Sequence, residues 1–477
     1  MYSIKPMKLS YLFVLILSSF SAIAQDSLLF TYRDFYEQLL ANHPVIKQSE
    51  LIPESARQDL MMARGGFDPK LEGTFNRKVY QSKEYFNRSD FFLKVPVWVG
   101  GADLKLGYDR NVGETLSDDI RTGPEGITYL GLTVPIGQGF LIDSRRATLR
   151  QAQVFQEIAD AERVGMINKI ILSSAKDYWN WYFAYQQYQL ATEFYTLAQI
   201  RYEALSQRVN LGEAAVIDTV EALVTLQDRE VALSQATLDV RNARLLLSNH
   251  LWSREQVPLE LPENAIPQPA MGLVLGPERL NDLLRLARES HPDILKLNFK
   301  QQQLQIDERL GREMLKPVVN LETAALYKGI TLNGQETQTG FSSFNNNYKL
   351  IIDVYFPLFL RKERGKLQQI RIKQLQNTLE QQQLQREISN EINAAFNDVK
   401  TLENQIRIQT ASIQNQELLL KAEVQKFELG ESSLFLVNAR ESKLNELKIK
   451  VESLRSKYEK ALSTLLFAAG LGSWNNE

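Results

Sequence analysis

Long stretches of the chain repeat apolar residues at a helical spacing and contain no proline. One such stretch runs from Asp143 to about Arg208, and another runs from 361 to 427. Each is followed by a second helical run, at 214–251 and at 432–469. In the last run the apolar residues step by three and four: Leu444, Leu447, Val451, Leu454, Tyr458, Ala461 and Leu465. This spacing predicts long helices that pack as coiled coils.

The run at 214–251 carries two apolar seams. One side has Ile217, Val220, Val224, Val231, Leu238 and Leu245, and the other has Val216, Leu223, Leu226, Leu233 and Val240. A helix with two apolar seams contacts two neighbouring helices.

A glycine motif occurs between the two helical runs of each pair. Leu211-Gly212-Glu213 stands at the first position, and Leu429-Gly430-Glu431 stands at the second. Glycine ends a helix in a left-handed conformation without steric cost, and an acid is favourable in the first turn of the next helix. The motif therefore predicts two hairpin tips, at 209–214 and 427–432, with positive φ at both glycines.

Between the helical stretches the period changes to two, which is typical of strands with one apolar and one polar face. Such runs lie near 71–79, 90–97, 102–110, 126–136, 318–330 and 346–357. The segment 89–112 has no counterpart in the second half. We expect it to form a hairpin that extends the outer end of the first-half strands; the alternative places it in the wall of the sheet.

The chain repeats one plan. His43-Pro44 and His291-Pro292 recur at one offset, and the tip glycines recur in the same order at a slightly shorter one. Five of the fifteen prolines lie in 258–277. These features predict a first structural repeat at 25–257, a proline-rich linker at 258–277 and a second repeat at 278–477.

Residues 1–24 have the pattern of a secretory signal peptide. Two lysines precede an apolar run, and Ala22-Ile23-Ala24 forms a small-residue cleavage site. The sequence contains no cysteine, which excludes a lipoprotein signal and thiolate metal sites. With 55 Lys and Arg against 57 Asp and Glu, the formal charge of −2 gives no basic field for nucleic acid.

An exported chain with alternating strands fits a transmembrane β-barrel with a wet interior. The four to six strands of one chain are too few to close such a barrel, whereas three copies of four would give about twelve. Helices continuing from the strands would extend the tube by about 100 Å. The predicted fold is therefore mainly α with β. Duplicated long helical hairpins are joined to strands that contribute to a shared trimeric transmembrane β-barrel. If the segment 89–112 lies in the barrel wall, the trimer has eighteen strands instead of twelve.

This arrangement, together with one local motif, resembles the TolC-like outer-membrane factor family. The motif is Gly212-Glu213-Ala214-Ala215-Val216-Ile217-Asp218, because the family's first tip has Asp six residues after Gly. The resemblance implies a homotrimer in outer-membrane lipid, with its helical part in the periplasm. It also implies export through a tripartite efflux pump or type I secretion system, with a periplasmic adaptor docked on the tips and an inner-membrane pump as partner.

The resemblance also assigns candidate site residues. Asp218 is a candidate pore-gate residue, or an ordinary acid of a first helical turn. Leu436 stands where many relatives have Asp, so it is either an apolar gate ring or a packed hairpin residue. The docking residues would be Leu211, Gly212, Glu213, Leu429, Gly430 and Glu431.

Other classes fit the sequence less well. His43, His250 and His291 are scattered and form no convincing metal set, and no catalytic motif or cofactor motif is present. The aromatic residues at 178–188 are expected to pack in a belt midway along the helix. The alternative function is a periplasmic coiled-coil adaptor or a structural envelope protein, but an adaptor needs one hairpin and this chain has two.

Overall fold

A computed structural model describes residues 28–212, 215–270, 275–328 and 347–472. The predicted signal peptide and Glu213 lie outside these residues. The helices are α1 (Tyr32–Asn42), α2 (Pro44–Arg64), α3 (Ser144–Asn210), α4 (Val216–Ser248), α5 (Pro277–Ser290), α6 (Pro292–Glu313), α7 (Arg361–Glu428) and α8 (Leu434–Ala468). The strands are β1 (Leu28–Phe30), β2 (Lys70–Tyr80), β3 (Lys83–Pro96), β4 (Asp103–Val112), β5 (Ile127–Pro135), β6 (Ala265–Pro267), β7 (Val318–Lys328) and β8 (Tyr348–Tyr355).

The long helices agree closely with the sequence prediction. Helix α3 has 67 residues and α7 has 68. Each repeated His-Pro pair marks a helix boundary: α2 begins at Pro44 and α6 begins at Pro292. Proline suits this first position because its missing N–H would have no partner within the helix.

Six strands form one antiparallel sheet in the order β2-β3-β4-β5-β7-β8. The expectation that 89–112 extends the outer end of the first-half strands was wrong. Strands β3 and β4 lie inside the sheet, where β3 pairs with β2 along Lys70–Tyr80 and β4 pairs with β5. The hairpin therefore lies within the sheet, where its two strands stand between β2 and β5.

The chain divides into two compact units. The first combines 1–44, 171–275 and 395–464, and the second combines 45–170, 276–394 and 465–477. Each unit takes segments from both halves of the sequence. This division is therefore distinct from the predicted repeats, whose bounds remain a prediction.

An aromatic belt forms the core of the first unit; we define it as Phe35, Tyr178, Trp179, Trp181 and Tyr182. All five side chains are buried, and they pack against Val240, Leu247 and Leu261. The Tyr178 hydroxyl donates to Phe30 O at 2.7 Å, and Ser456 Oγ donates to Trp179 O at 2.6 Å. The prediction that the aromatic residues of α3 pack in a belt is confirmed.

In the second unit, polar side chains connect α6 to α7. Asn377 is buried, and its Nδ2 donates to Leu297 O at 3.1 Å and to Gln301 Oε1 at 3.0 Å. Gln374 Nε2 donates to Glu308 Oε2 at 3.2 Å. Several glutamines and asparagines of these helices thus bond across the helix pair.

Candidate functional site

Each predicted tip is a turn that ends in a left-handed glycine. Gly212 has a φ of 75° and Gly430 has a φ of 77°. The Gly212 N–H donates to Val209 O at 3.0 Å, and the Gly430 N–H donates to Phe427 O at 3.1 Å. Glycine adopts this conformation without a Cβ penalty. The positive φ predicted for both glycines is confirmed.

The second tip has one further backbone bond. The Glu431 N–H donates to Lys426 O at 2.8 Å, and together with the Gly430 bond it forms a Schellman motif. The Glu431 side chain is exposed. This pair of bonds satisfies two of the free carbonyls at the end of α7 and fixes the direction of the turn.

Both tips present apolar side chains to their surroundings. Leu211 is 73% exposed and Leu429 is 75% exposed. A Cβ built on Gly212 or Gly430 meets no atom of the described residues within 4 Å. A substitution at either glycine would therefore strain the backbone without a clash against the described side chains.

Close to the tips, the two hairpins pack against each other. Leu434, the first residue of α8, is buried against Leu205 of α3 and Ala222 of α4. Tyr202 and Phe427 border this small cluster. The second hairpin is therefore fixed to the first by an apolar contact beside the exposed tips.

A buried polar network lies next to that cluster. Arg201 Nη2 donates to Glu441 Oε2 at 2.5 Å, and Arg201 Nη1 donates to Asn438 Oδ1 at 3.0 Å. Asn438 Nδ2 in turn donates to Glu221 Oε1 and Thr225 Oγ1, both at 3.3 Å. The network joins α3, α4 and α8. Sequence analysis missed it, because the alternating three-four spacing continues backward from Leu444 to Arg440 and does not include Glu441.

Asp218 lies in the first turn of α4. Its N–H donates to Ala215 O at 3.1 Å, and its side chain is half-buried. An acid here is favourable next to the positive end of the helix dipole. The position suits both interpretations of this residue, as a helix-start acid and as a gate residue.

Leu436 lies in the first turn of α8 and is 43% exposed, whereas Leu434 and Val437 on either side are buried. The residues that pack the hairpin are therefore its neighbours. Leu436 keeps apolar surface for contacts outside the chain.

The six-stranded sheet has one continuous apolar face. Strand register and the alternation of side chains place one row across all six strands: Leu71, Leu93, Leu106, Leu130, Ala325 and Tyr348. The leucines of this row and Tyr348 are exposed. The strands of the 89–112 hairpin contribute to this face in the same way as the other four.

The opposite face of the sheet is polar and charged. Lys94 Nζ lies 3.2 Å from Asp103 Oδ2, and Lys105 Nζ lies 3.6 Å from Glu322 Oε2. Both ion pairs join different strands. A sheet with one apolar and one charged face is suited to a boundary between lipid and water.

The histidines show one arrangement that sequence analysis did not predict. The rings of His43 and His250 are 5.8 Å apart, and His250 Nε2 lies 2.8 Å from Asp177 Oδ2. Burial, with a smaller effect from His250, lowers the pKa of His43 from its ordinary 6.5 to about 4. Within the described ranges, no group of three or more His, Cys, Asp or Glu residues is placed to hold a metal ion.

Two-faced strands and paired helical hairpins with glycine tips define the class of outer-membrane channel proteins. None of the helices in the described part of the chain is both long and apolar enough to cross a membrane. The profile of the outer membrane efflux protein family matches residues 35–251 and 283–471. The chain belongs to this family, and its location is the outer membrane.

One curated relative is the cobalt-zinc-cadmium resistance protein CzcC of Cupriavidus metallidurans. The two sequences are 25% identical over 252 residues, which is 52% of this chain and 54% of CzcC. The match therefore spans about half the length of that relative.

Solved outer-membrane channels share the fold over most of its length. The open state of the Neisseria gonorrhoeae MtrE channel superposes with a TM-score of 0.65 at 16% sequence identity. The match covers 92% of this chain and 89% of the MtrE chain. The Campylobacter jejuni CmeC channel superposes with a TM-score of 0.63 at 14% sequence identity, and the match covers 93% of this chain and 86% of the CmeC chain. The predicted family is confirmed, and so is the predicted fold class of long helices with a β-sheet part.

Proposed function

We propose that the protein is the outer-membrane exit duct of a tripartite efflux pump or type I secretion system. It works as a homotrimer, with its helical hairpins on the periplasmic side, and it has no catalytic role of its own. The observation that carries this proposal is the six-stranded sheet with one apolar face and two open edges.

The open edges make a single copy incomplete. Among the described strands, β2 forms one edge of the sheet and β8 forms the other. In lipid an unpaired strand edge leaves N–H and C=O groups without partners, which costs several kcal/mol per group. Edge β2 of one copy therefore pairs with edge β8 of the next copy until the barrel closes.

The size of the barrel follows from this pairing. Three copies of six strands give eighteen strands. Barrels of about 16–18 strands enclose a water-filled channel, whereas about eight strands enclose only side chains. The apolar face meets lipid, and the charged face with its Lys94–Asp103 and Lys105–Glu322 pairs lines the passage.

The tips are the proposed docking site for a periplasmic adaptor, which connects the duct to an inner-membrane pump. Leu211, Gly212 and Glu213 form one site, and Leu429, Gly430 and Glu431 form the other. Exposed leucines beside a fixed glycine turn supply apolar surface that a partner helix can bury.

Asp218 and Leu436 are the proposed gate residues near the periplasmic end of the passage. A ring of three Leu436 side chains can close a pore by excluding water, without any ion pair. Three Asp218 carboxylates would give a neighbouring polar ring that attracts cations.

The test is the mass of the detergent-extracted protein together with its conductance in planar bilayers. A mass of three copies is expected, with a low resting ion current that Leu436→Ser increases. A closed monomer without conductance would contradict the proposal.

The cargo can be approached through the relative CzcC, whose name refers to cobalt, zinc and cadmium resistance. We propose divalent metal cations as the first cargo class to test. Deleting the gene should then lower the tolerated concentration of these ions. An unchanged metal tolerance with a raised sensitivity to organic toxins would assign the duct to another cargo.

A further inference from the structure

The corner between β8 and α7 presents apolar side chains that the described part of the chain leaves uncovered. Residues 356–360 connect the end of the strand to the start of the helix. Leu358 is 84% exposed and Phe359 is 70% exposed. Ile352 and Val354, on the apolar face of the strand that leads into the corner, are exposed as well. The apolar surface of the sheet therefore continues past the end of β8.

The backbone of this corner has one defined conformation. Leu360 is buried and has a φ of 48°, a value that residues other than glycine rarely adopt. The Arg364 N–H donates to Leu360 O at 2.9 Å and closes the first turn of α7. Leu360 therefore provides the packing of the corner, while Leu358 and Phe359 contribute little to it.

Basic residues follow the exposed apolar pair directly. The segment 361–366 contains four bases and one acid, whereas the whole chain has a formal charge of −2. All four bases are exposed: Arg361, Lys362, Arg364 and Lys366. None of them forms an ion pair with another described residue. Bases are also unfavourable at the start of a helix, where the helix dipole is positive. The fold itself therefore does not explain this cluster.

The corresponding corner of the first half uses its bases differently. Between β5 and α3, Phe140 and Leu141 are exposed, and two arginines follow them. Arg145 Nη1 lies 2.7 Å from Asp103 Oδ1, and Nε of the buried Arg146 lies 3.2 Å from Asp143 Oδ1. Carboxylates of the same chain thus neutralise the bases of the first corner. At the second corner the positive charge is left for a partner.

We infer that the second corner, residues 358–366, binds an anionic phospholipid of the membrane leaflet that faces the periplasm. The strand before the corner lies in the barrel wall and the helix after it is periplasmic, so the corner is at the boundary between lipid and water. Exposed apolar side chains suit the acyl chains, and the adjacent bases suit the phosphate. The inference rests on the membrane position that the proposed function gives to the sheet.

The charge of the corner favours one kind of phospholipid. A guanidinium binds two phosphate oxygens at once, and the lysine ammonium groups add positive charge. The Arg361 guanidinium lies 5.0 Å from the centre of the Phe359 ring, which keeps this base beside the apolar pair. Phosphatidylethanolamine also has a phosphate, but the four bases repel its ammonium group. Phosphatidylglycerol has no such cation and is the expected ligand.

Lipid retention tests the inference. The protein is reconstituted in vesicles of equal parts phosphatidylethanolamine and phosphatidylglycerol and extracted again in mild detergent. The phospholipids that stay bound are then quantified by mass spectrometry. Phosphatidylglycerol should be enriched over phosphatidylethanolamine. The triple variant Lys362→Gln, Arg364→Gln and Lys366→Gln should lower this enrichment by about tenfold or more, because each base near an anionic surface strengthens binding by about fivefold.

A matched control removes three exposed bases from the other end of the same helix. Arg407→Gln, Lys421→Gln and Lys426→Gln change the net charge by the same amount, but they lie towards the end of α7. This variant should retain phosphatidylglycerol as the wild type does. Equal losses in the two triple variants would mean that total charge attracts the lipid, and the inference would be overturned.

Leu358→Ser combined with Phe359→Ser tests the apolar part of the corner. Phosphatidylglycerol retention should fall while the trimer mass stays the same. A smaller trimer fraction with wild-type lipid retention would make the corner a contact between copies and overturn the inference. A membrane-embedded trimer without phosphatidylglycerol enrichment would also overturn it, yet leave the proposed duct in place. A protein that does not enter the vesicles would overturn both.

Discussion

The aromatic belt and the hairpin tips belong to the same compact unit and share α3 and α4, yet they use apolar side chains in opposite ways. In the belt, Tyr178 and Trp181 are fully enclosed. At the tips, Leu211 and Leu429 are about three-quarters exposed. Burial of apolar surface stabilises a folded chain, whereas exposed apolar surface is available for a partner. The belt therefore holds the hairpins together, and the tips are free to change without loss of the fold.

The largest expected effect comes from the belt. Trp181→Ala removes a fully buried ring and leaves a cavity, so it should lower the free energy of unfolding by about 3–5 kcal/mol. Urea denaturation followed by circular dichroism measures this. Leu211→Ala is the control at the tip and should change the value by less than about 0.5 kcal/mol. If both variants lower the free energy of unfolding equally, the belt does not stabilise the fold more than the tips do.

A smaller loss is expected from the polar network beside the tips. Glu441→Ala leaves the Arg201 guanidinium without its closest acceptor and should lower the free energy of unfolding by about 1–3 kcal/mol. Glu441→Gln keeps an acceptor oxygen and should lose less. The same denaturation assay compares the two variants. Identical losses would mean that the carboxylate charge, which both variants remove, is what matters, and that the packing and the acceptor oxygen kept by Glu441→Gln contribute nothing.

The glycine turns should matter for function more than for stability. Gly430→Val places a β-branched residue at positive φ, with a cost of about 1–3 kcal/mol confined to the tip. Adaptor capture and export should fall sharply, while the amount of trimer in the outer membrane stays the same. Gly212→Val should act alike. Normal export by both variants would show that docking takes place elsewhere.

Acid should weaken the first unit through His43. Its folded pKa of about 4 is below the ordinary 6.5, so between these values the unfolded chain binds the proton and the folded chain does not. Stability is therefore complete above pH 6.5 and falls as the pH drops towards 4. Melting temperatures measured across this range should fall by several degrees, and His43→Gln should flatten the slope. An unchanged slope would exclude His43 as the cause.

The smallest effect on stability is expected at the proposed gate. Leu436→Ser should leave the melting temperature nearly unchanged but raise the resting conductance in planar bilayers, because a hydroxyl allows water into an apolar ring. Leu444→Ala gives the contrast: this buried side chain should cost about 2–5 kcal/mol and leave conductance unchanged.

Asp218→Ala completes this comparison by testing the first tip. A changed block by divalent cations would place the constriction there. Wild-type conductance and block in both the Leu436 and the Asp218 variants would remove both residues from the gate.

The helices and tips could be predicted from the sequence because their causes are local. A three-four spacing without proline specifies a helix wherever it occurs, and glycine is required where φ is positive. Helix α3 accordingly runs over Ser144–Asn210, close to the predicted 143–208.

The placement of the 89–112 hairpin could not be predicted in the same way. Alternation assigns Leu93 and Leu106 to an apolar face, but it does not say which strand lies alongside. The neighbouring strand is set by the pairing of β3 with β2 and of β4 with β5. The apolar pattern within a single strand carries no information about this pairing. The Arg201–Glu441 bond was missed for a related reason, since its partners are far apart in the chain and either charge alone resembles an ordinary surface residue.

The parallel pairing of β1 with β6 has a consequence for how the protein folds. Leu28 pairs with Ala265, so more than half of the 477 residues must be made before this contact can form. The central pairing of the sheet, β5 with β7, also joins the two halves. Contacts this distant in sequence form slowly because a long loop must close first. Chains that have not yet formed these pairings should therefore keep unpaired strand edges for longer than chains in which only neighbouring strands pair.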